Sequence, residues 1–282
     1  MSRKAVISFS IIAFIIVLVG VLFGTVFCVR SQSVAIIGDS PVNVSKEDIL
    51  STAGFKNGQS IFLLDKDKAI NNIEAKYPYV KVVHIKTTSV TAIEIQVRAR
   101  HEMCYAKFNN NYYFLDEELK VLKIIEESPE EQESNEPTHL TKIDDGVLNL
   151  NSSTMVCDFI GNDFQKETMI QLHSAMITTV TKTVPGGEGE DEVYFTRADV
   201  CEMIRHVKFE QHETYDKIIV ATKHGVKLDI ENPTTDLQNK INICFSTIKE
   251  FLSDPATESK AQGGTIKIYY DVENNQKCVY VA

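Results

Sequence analysis

The residues of this 282-residue chain that could carry chemistry are seven histidines, six cysteines and a few adjacent acids, and their spacing builds no reaction centre. His84, His101, His139, His173, His206, His212 and His224 form neither H-x-x-x-H nor H-E-x-x-H, the spacings that put two imidazoles on one helix face for a metal. Cys28, Cys104, Cys157, Cys201, Cys244 and Cys278 stand singly, with no C-x-x-C pair. Neither a zinc site nor a disulfide scaffold is expected, and isolated thiols are the simpler reading. Asp144-Asp145 and Asp191-Glu192 are neighbours in sequence, so their carboxylates diverge rather than share a proton. The glycines of Pro185-Gly186-Gly187-Glu188-Gly189-Glu190-Asp191-Glu192 lack a following Lys-Ser/Thr, and the acids among them repel phosphate. No G-x-S-x-G elbow appears. The expectation is a protein with no catalytic residues, no cofactor, no metal and no small-molecule substrate.

Net charge of −10 and a pI near 5.2 argue against nucleic acid as a partner, and against docking on anionic polymers. Hydrophobic residues make up 43% of the chain, enough for a sizeable core.

The elements that position these side chains are arranged behind one N-terminal stretch. From Ala5 to Val29 there is no charged residue, and Ile11 to Val19 is almost wholly Ile, Val, Leu and Phe. About 20 helical residues cross a hydrocarbon core of roughly 30 Å, so residues 5–29 are expected to form a transmembrane helix. A cleaved signal peptide would have an apolar region of only about 7–15 residues and a small-residue cleavage site, which Val26-Phe27-Cys28-Val29-Arg30 does not offer. Arg3 and Lys4 precede the run and only Arg30 comes after it before Lys46, placing residues 1–4 in the cytoplasm and the bulk outside.

After the anchor, Ser33 to Ile37 reads as a strand halted at Gly38-Asp39-Ser40-Pro41. Ser45, three residues before Asp48, caps a short helix stopped at Gly54, and Asp65 caps a second that ends before Pro78. Two alternating strands come next. Val80, Val82 and His84 are predicted on one face of the first, opposite Lys81, Val83 and Ile85; Ile93, Ile95 and Val97 form the buried face of the second. The order strand, helix, helix, strand, strand makes a small α+β domain over residues 31–100.

Gly38, Val44 to Leu50, Gly58 to Asp65, Tyr77-Pro78-Tyr79-Val80, Ile93 to Val97 and Arg100, in this order behind one anchor, resemble the POTRA domain of the bacterial division proteins FtsQ and DivIB. Tyr77-Pro78-Tyr79-Val80 matches the aromatic form of that family's proline-centred motif, and Arg100 falls where its glutamate-arginine pair ends. Ala99 stands in place of the usual acid, and Glu117-Glu118-Leu119 stand where the family has a glycine turn.

Residues 101–282 are expected to form a larger β domain, a curved mixed sheet with helices on one face. Cys104 to Phe108 and Tyr112 to Asp116 read as a hairpin turning at Asn109-Asn110-Asn111, with a third strand at Val121 to Ile125. Residues 126–137 and 185–192 read as acidic solvated loops. A helix is predicted over 164–178, strands over 200–209, 217–222 and 226–230, and a longer helix capped by Thr235 with Leu237, Ile241, Cys244, Phe245 and Ile248 on its buried stripe. A hairpin of Thr265 to Tyr270 and Gln276 to Val281 closes the chain.

The resemblance implies a non-enzymatic, single-pass membrane scaffold at the division septum. Such a scaffold binds FtsB/DivIC-like and FtsL-like single-pass coiled-coil proteins and links septum assembly with septal wall synthesis. In the family a strand near the C-terminus receives a strand of the partner. Carried over, that candidate edge strand is Ile266, Lys267, Ile268, Tyr269 and Tyr270. A POTRA-type chaperone or transport module is the alternative, and a membrane-anchored wall enzyme or sensor a more distant one.

Overall fold

The structure, a computed structural model, describes residues 11–21, 26–38, 40–127, 136–144, 148–177, 180–182, 192–195, 203–271, 273 and 275–282. It divides into two compact units, Met1–Arg100 and His101–Ala282.

In the first unit, residues 11–21 are helical, and their Ile, Val, Leu and Phe side chains are exposed. Among the described residues no helix is long and apolar enough to cross a membrane; residues 5–10 and 22–25 of the expected span, and the expected cytoplasmic residues 1–4, lie outside them. The far end of that span belongs to the folded domain. Val29 is fully buried in its core, its N–H donates to Gln59 O (2.9 Å), and Cys28 forms an antiparallel bridge with Ser60.

The domain runs β1 (Ser31–Ile36), α1 (Lys46–Ala53), a 3₁₀ turn (Ile61–Leu63), α2 (Lys66–Lys76), β2 (Val80–Ser89) and β3 (Ala92–Ala99). The sheet order is β1-β3-β2, with β1 parallel and β2 antiparallel to β3. Asp48 N–H donates to Ser45 Oγ (3.1 Å), and Gly54 ends α1 at φ 74°, the left-handed region where glycine carries no Cβ penalty. Lys68 N–H donates to Asp65 Oδ1 (2.9 Å) to start α2. Ile49, Ala53, Ala69 and Ile73 of these helices meet Val80, Val82, Ile85, Ile93, Ile95 and Val97 of the sheet.

One face assignment differs from expectation. The register of β2 slips between Val82 and His84, so Ile85 joins Val80 and Val82 in the core while Val83 and His84 are exposed. A bulge inserts one residue and reverses the alternation beyond it.

The second unit contains, among the described residues, a nine-stranded mixed sheet. Its strands are β4 (Cys104–Phe108), β5 (Asn111–Leu115), β6 (Val121–Glu126), β7 (Thr141–Ile143), β10 (Ile204–Gln211), β11 (Asp216–Thr222), β12 (Lys227–Glu231), β13 (Thr265–Tyr270) and β14 (Gln276–Val281); β8 (Val180–Lys182) and β9 (Glu192–Phe195) form a separate pair. The order is β14-β13-β12-β11-β10-β7-β4-β5-β6. Three-residue β7 joins the two halves, parallel to both β4 and β10, and Thr141 Oγ1 donates to Ile204 O (2.9 Å) beneath it.

The helices α3 (Asp163–Ile177) and α4 (Leu237–Ser253) pack together and share one core with the sheet, including Met169, Leu172, Ile241, Phe245, Phe209 and Val220. Asn162 and Gln165 exchange side-chain-to-backbone bonds at 2.9 Å each, a reciprocal cap on α3. Thr235 does not cap α4. It lies in a turn (N–H to Asn232 O, 3.0 Å), and Asp236 at φ 53° occupies the N-cap without a side-chain bond. Alternate residues of β4 and β5 supply a second cluster, Tyr105, Tyr112 and Phe114 with Leu140. Of the acidic stretch 126–137, Glu127 is held by Lys107 (2.7 Å) and Tyr112 (2.9 Å), and Glu136 by Tyr105 (2.7 Å) and Lys142 (3.1 Å); 128–135 and the loop 183–191 lie outside the described residues.

Candidate functional site: the C-terminal sheet edge and the POTRA motif

A long amphipathic helix must return the chain to the sheet, and α4 delivers it through the 3₁₀ turn Glu258–Gln262 to Gly263-Gly264. Gly264 has φ 75°, and a Cβ there would collide with the ring of Tyr280. Gly225, at φ 100°, closes the β11–β12 turn against the carbonyl of Gln262 in the same manner. Glycines thus allow β12, β13 and the last strand to converge.

The candidate edge strand Ile266, Lys267, Ile268, Tyr269 and Tyr270 is not an edge. β13 is paired in parallel with β12 (Leu228↔Ile266, Ile230↔Ile268) and in antiparallel with β14 along its whole length (Thr265↔Val281 to Tyr270↔Gln276). Ile266 and Ile268 are fully buried, as expected of an internal strand. The reason is the closing hairpin: Asp271 Oδ1 accepts from Asn275 N–H (2.8 Å) and Glu273 N–H (3.0 Å), folding the last six-residue strand back over β13. The Asn275 backbone N–H, with Lys277 beside it, holds the Asp271 carboxyl below the usual range. Only Tyr269 and Tyr270 run past the register of β12, and there the Tyr270 N–H turns to the Glu231 carboxylate (3.4 Å).

The terminal strand of the sheet is β14, which among the described residues pairs on one side only. Its outer side presents backbone donors and acceptors in a row, the arrangement onto which an extended segment can add. Val279 and Val281, 42% and 43% exposed, alternate with Tyr280, whose ring meets Phe251 of α4 edge-on at 5.0 Å. At the opposite end of the sheet β6 is partly covered, since Val121 and Lys120 pair with residues 157–159.

The second set of candidate residues lies in the first unit. Gly38 has φ 89° after β1. Tyr77 has left the helical region before Pro78 (φ −124°, ψ 88°), and Val80 N–H donates to Tyr77 O (3.0 Å), turning the chain from α2 into β2 with Val80 buried. Thr52, then Lys76, lower the pKa of the Tyr77 hydroxyl. Tyr79, 41% exposed, accepts the Arg100 N–H (2.9 Å) through its carbonyl. The Arg100 guanidinium, buried, pairs with Glu74 at 2.8 Å, and Glu74 also accepts the Val82 N–H (2.9 Å). Sequence reasoning missed Glu74; its sequence signal is one α2 residue lying one helical turn before Pro78. These contacts tie the motif into one structural knot at the base of the β2–β3 hairpin. Among the described residues no group of three or more His, Cys, Asp or Glu could hold a metal.

Comparison with known proteins agrees with the layout of the first unit. Residues 30–100 match the family model of the POTRA domain, FtsQ-type. The chain is similar to the cell division protein DivIB of Clostridium botulinum strain Hall, 32% identical over 92 residues, covering 33% of this chain and 35% of that protein. It is also similar to DivIB of the Loch Maree strain, 30% identical over 103 residues, covering 33% of this chain and 39% of that protein. The matched stretch thus spans little more than a third of the length of these relatives. Residues 30–100 are an FtsQ-type POTRA domain, and through this domain the chain is similar to the division proteins of the FtsQ/DivIB family.

Proposed function

We propose that this protein is a membrane-anchored, non-enzymatic scaffold of bacterial cell division, holding partner subunits outside the membrane through its sheet edge. The one-sided pairing of β14 carries this reading: an edge strand with exposed Val279 and Val281 suits an extended partner segment. The occupants the family resemblance implies are FtsB/DivIC-like and FtsL-like single-pass coiled-coil proteins. The site is the outer side of β14, which pairs with β13 on its other side, with the backbone of β14 giving affinity and Lys277, Val279 and Val281 setting register.

Residues 5–29 supply the anchor, trimmed to end near residue 25 because Cys28 and Val29 belong to the POTRA domain. A helix apolar on all sides, as at 11–21, has no stable place in water without a partner, which supports insertion. Arg3 and Lys4 keep the N-terminus in the cytoplasm.

Depletion tests the reading. Filamentous, unseptated cells and a septal band of a fluorescent fusion are expected; normal septation with a uniformly distributed fusion contradicts it.

A further inference from the structure

Three elements meet where the chain enters the POTRA domain. Ile61 N–H donates to Phe27 O (3.0 Å), Val29 N–H to Gln59 O (2.9 Å), and Arg30 and Ser31 N–H to Thr91 O (2.8 and 3.2 Å). The 3₁₀ turn and the two-residue β2–β3 turn therefore flank the entering strand. Each carries apolar side chains turned to solvent: Phe62 is 62% exposed, Leu63 78% and Val90 54%, with Val26 40% exposed beside them. The rings of Phe27 and Phe62 lie 5.4 Å apart at the rim of a cleft of about 620 Å³, lined also by Ile61, Leu64, Val90 and Lys66. A small domain does not ordinarily concentrate its most exposed large apolar residues at one tip.

We infer that this tip, Phe62, Leu63 and Val90 around the entering Phe27, is a membrane-contact surface that seats the POTRA domain in the lipid headgroup and upper acyl region. The inference rests on the proposed anchor and adds a second lipid contact to it. The occupant is set by chain continuity. No charge separates Lys4 from Arg30, and four residues join Val21 of the helix to Val26 of the tip. About 20 residues fill the hydrocarbon core, so a span starting near Ala5 ends near residue 25. Val26 and Phe27 then emerge at the interface, and hydrogen bonds fix Phe62, Leu63 and Val90 beside them. Aromatic and aliphatic side chains at that depth, roughly 5–10 Å into the headgroup boundary, are stabilised there. The surface requires no anionic lipid, in keeping with the acidic chain. Held at this second point, the domain keeps one orientation to the bilayer, which fixes the direction in which the scaffold leaves the membrane.

The chain contains no tryptophan, so single reporters can be placed without background. The full-length protein is reconstituted in phosphatidylcholine vesicles with and without bromine on the acyl chains. It carries Phe62→Trp, Leu63→Trp, Phe14→Trp within the helix, or Ile37→Trp just past the far end of β1, about 20 Å along the strand. Brominated lipid is expected to cut the emission of Phe62→Trp and Leu63→Trp at least about twofold, and that of Ile37→Trp by less than about a tenth, given the interfacial depth above. Quenching of Phe14→Trp alone, with both tip reporters behaving like Ile37→Trp, overturns the tip contact and leaves the anchor standing. Unquenched Phe14→Trp overturns the anchor; tip quenching in that case still establishes the contact as peripheral, and its absence overturns the contact too. Leu63→Trp, at the more exposed position, decides the matter if Phe62→Trp fails to fold.

Discussion

The guanidinium of Arg100 lies 2.8 Å from the carboxylate of Glu74, and the same carboxylate accepts the Val82 backbone N–H. Arg100 is the last residue of the POTRA domain and Glu74 sits in its second helix, so one ion pair ties the end of β3 to α2 and to the start of β2. With the arginine side chain 1% exposed and the glutamate 14%, the pair is nearly dry.

Breaking such a pair from one side leaves an uncompensated buried charge, which costs about 3–5 kcal/mol, whereas replacing both partners with apolar residues costs less. Glu74→Leu is therefore expected to lower POTRA stability by about that amount, and Glu74→Leu with Arg100→Met by clearly less. Urea unfolding of the full chain, monitored through the transition of the first unit, measures the difference. Equal losses in the single and double variants would mean that the Val82 bond, not the charge, matters.

The domain also begins earlier than its sequence suggests. Val29 is fully buried and both its backbone groups are bonded, its N–H to Gln59 O and its carbonyl to Gly58 N–H (2.8 Å). A fragment of residues 26–100 should melt cooperatively, and one of 31–100 should be weaker by about 2–4 kcal/mol, the loss of one buried side chain and its strand-end bonds. Ile95→Asp should unfold either, because Ile95 is buried at the centre of β3. Thermal melts of the fragments decide it.

Much of this fold is legible in the residues. The caps at Ser45 and Asp65, the stop at Gly54 and the alternation of Ile93, Ile95 and Val97 are local signals with direct physical causes, and the structure contains all of them. The features that escape a reading of the residues depend on pairing. The bulge in β2 inverts Ile85 against His84 although every residue type there suits a regular strand. β7 is three residues long and makes sense only between β4 and β10. Whether β13 or β14 is the edge is decided by the Asp271 hairpin and by the parallel join to β12, neither of which leaves a periodic trace. Thr235 resembles a cap because it precedes an apolar period, yet the chain enters α4 through Asp236 in the left-handed region.

The turn after β5 contains no glycine, and Leu119 adopts φ 58° there. Asp116 Oδ1 accepts both the Glu118 and Lys120 N–H groups at 2.9 Å, which holds the turn, while the Leu119 side chain is buried against Gly161. A Cβ at Gly161 would collide with that leucine. Gly161→Ala should cost about 1–3 kcal/mol through overpacking. Leu119→Gly relieves about 1–2 kcal/mol of backbone strain but forfeits about 2–5 kcal/mol of core, for a net loss. Chemical denaturation of the second unit tests both; a stabilised Leu119→Gly would show that strain outweighs burial.

Lys240, in the first turn of α4, is fully buried. Its ammonium donates to the carbonyls of Glu231 (2.9 Å) and Asn232 (2.8 Å) and lies 5.0 Å from the Tyr270 ring centroid. Burial pushes its pKa down to about 8. Because the unfolded chain titrates near 10.4, it binds the proton more tightly than the folded one, and stability attributable to this group rises as pH climbs from about 8 to about 10.4. The difference between wild type and Lys240→Met should therefore shift in favour of wild type by about 2–3 kcal/mol between pH 7 and pH 10. Paired urea titrations at the two pH values read it, and a constant difference contradicts the assignment.

The proposed scaffold role depends most directly on β14. Neighbouring residues of an antiparallel strand point their N–H groups to opposite sides, so of Cys278→Pro and Val279→Pro one removes an outward donor and spares the bond to β13. The measurement is capture of the FtsB/DivIC-like coiled-coil subunit from membranes by the tagged full-length chain, comparing each proline variant with wild type alongside its thermal melt. In the variant whose melt is unchanged, capture should fall at least about tenfold, since roughly 1 kcal/mol per lost bond is compounded by a misfit of the added strand. Undiminished capture by that variant would contradict the proposed docking edge.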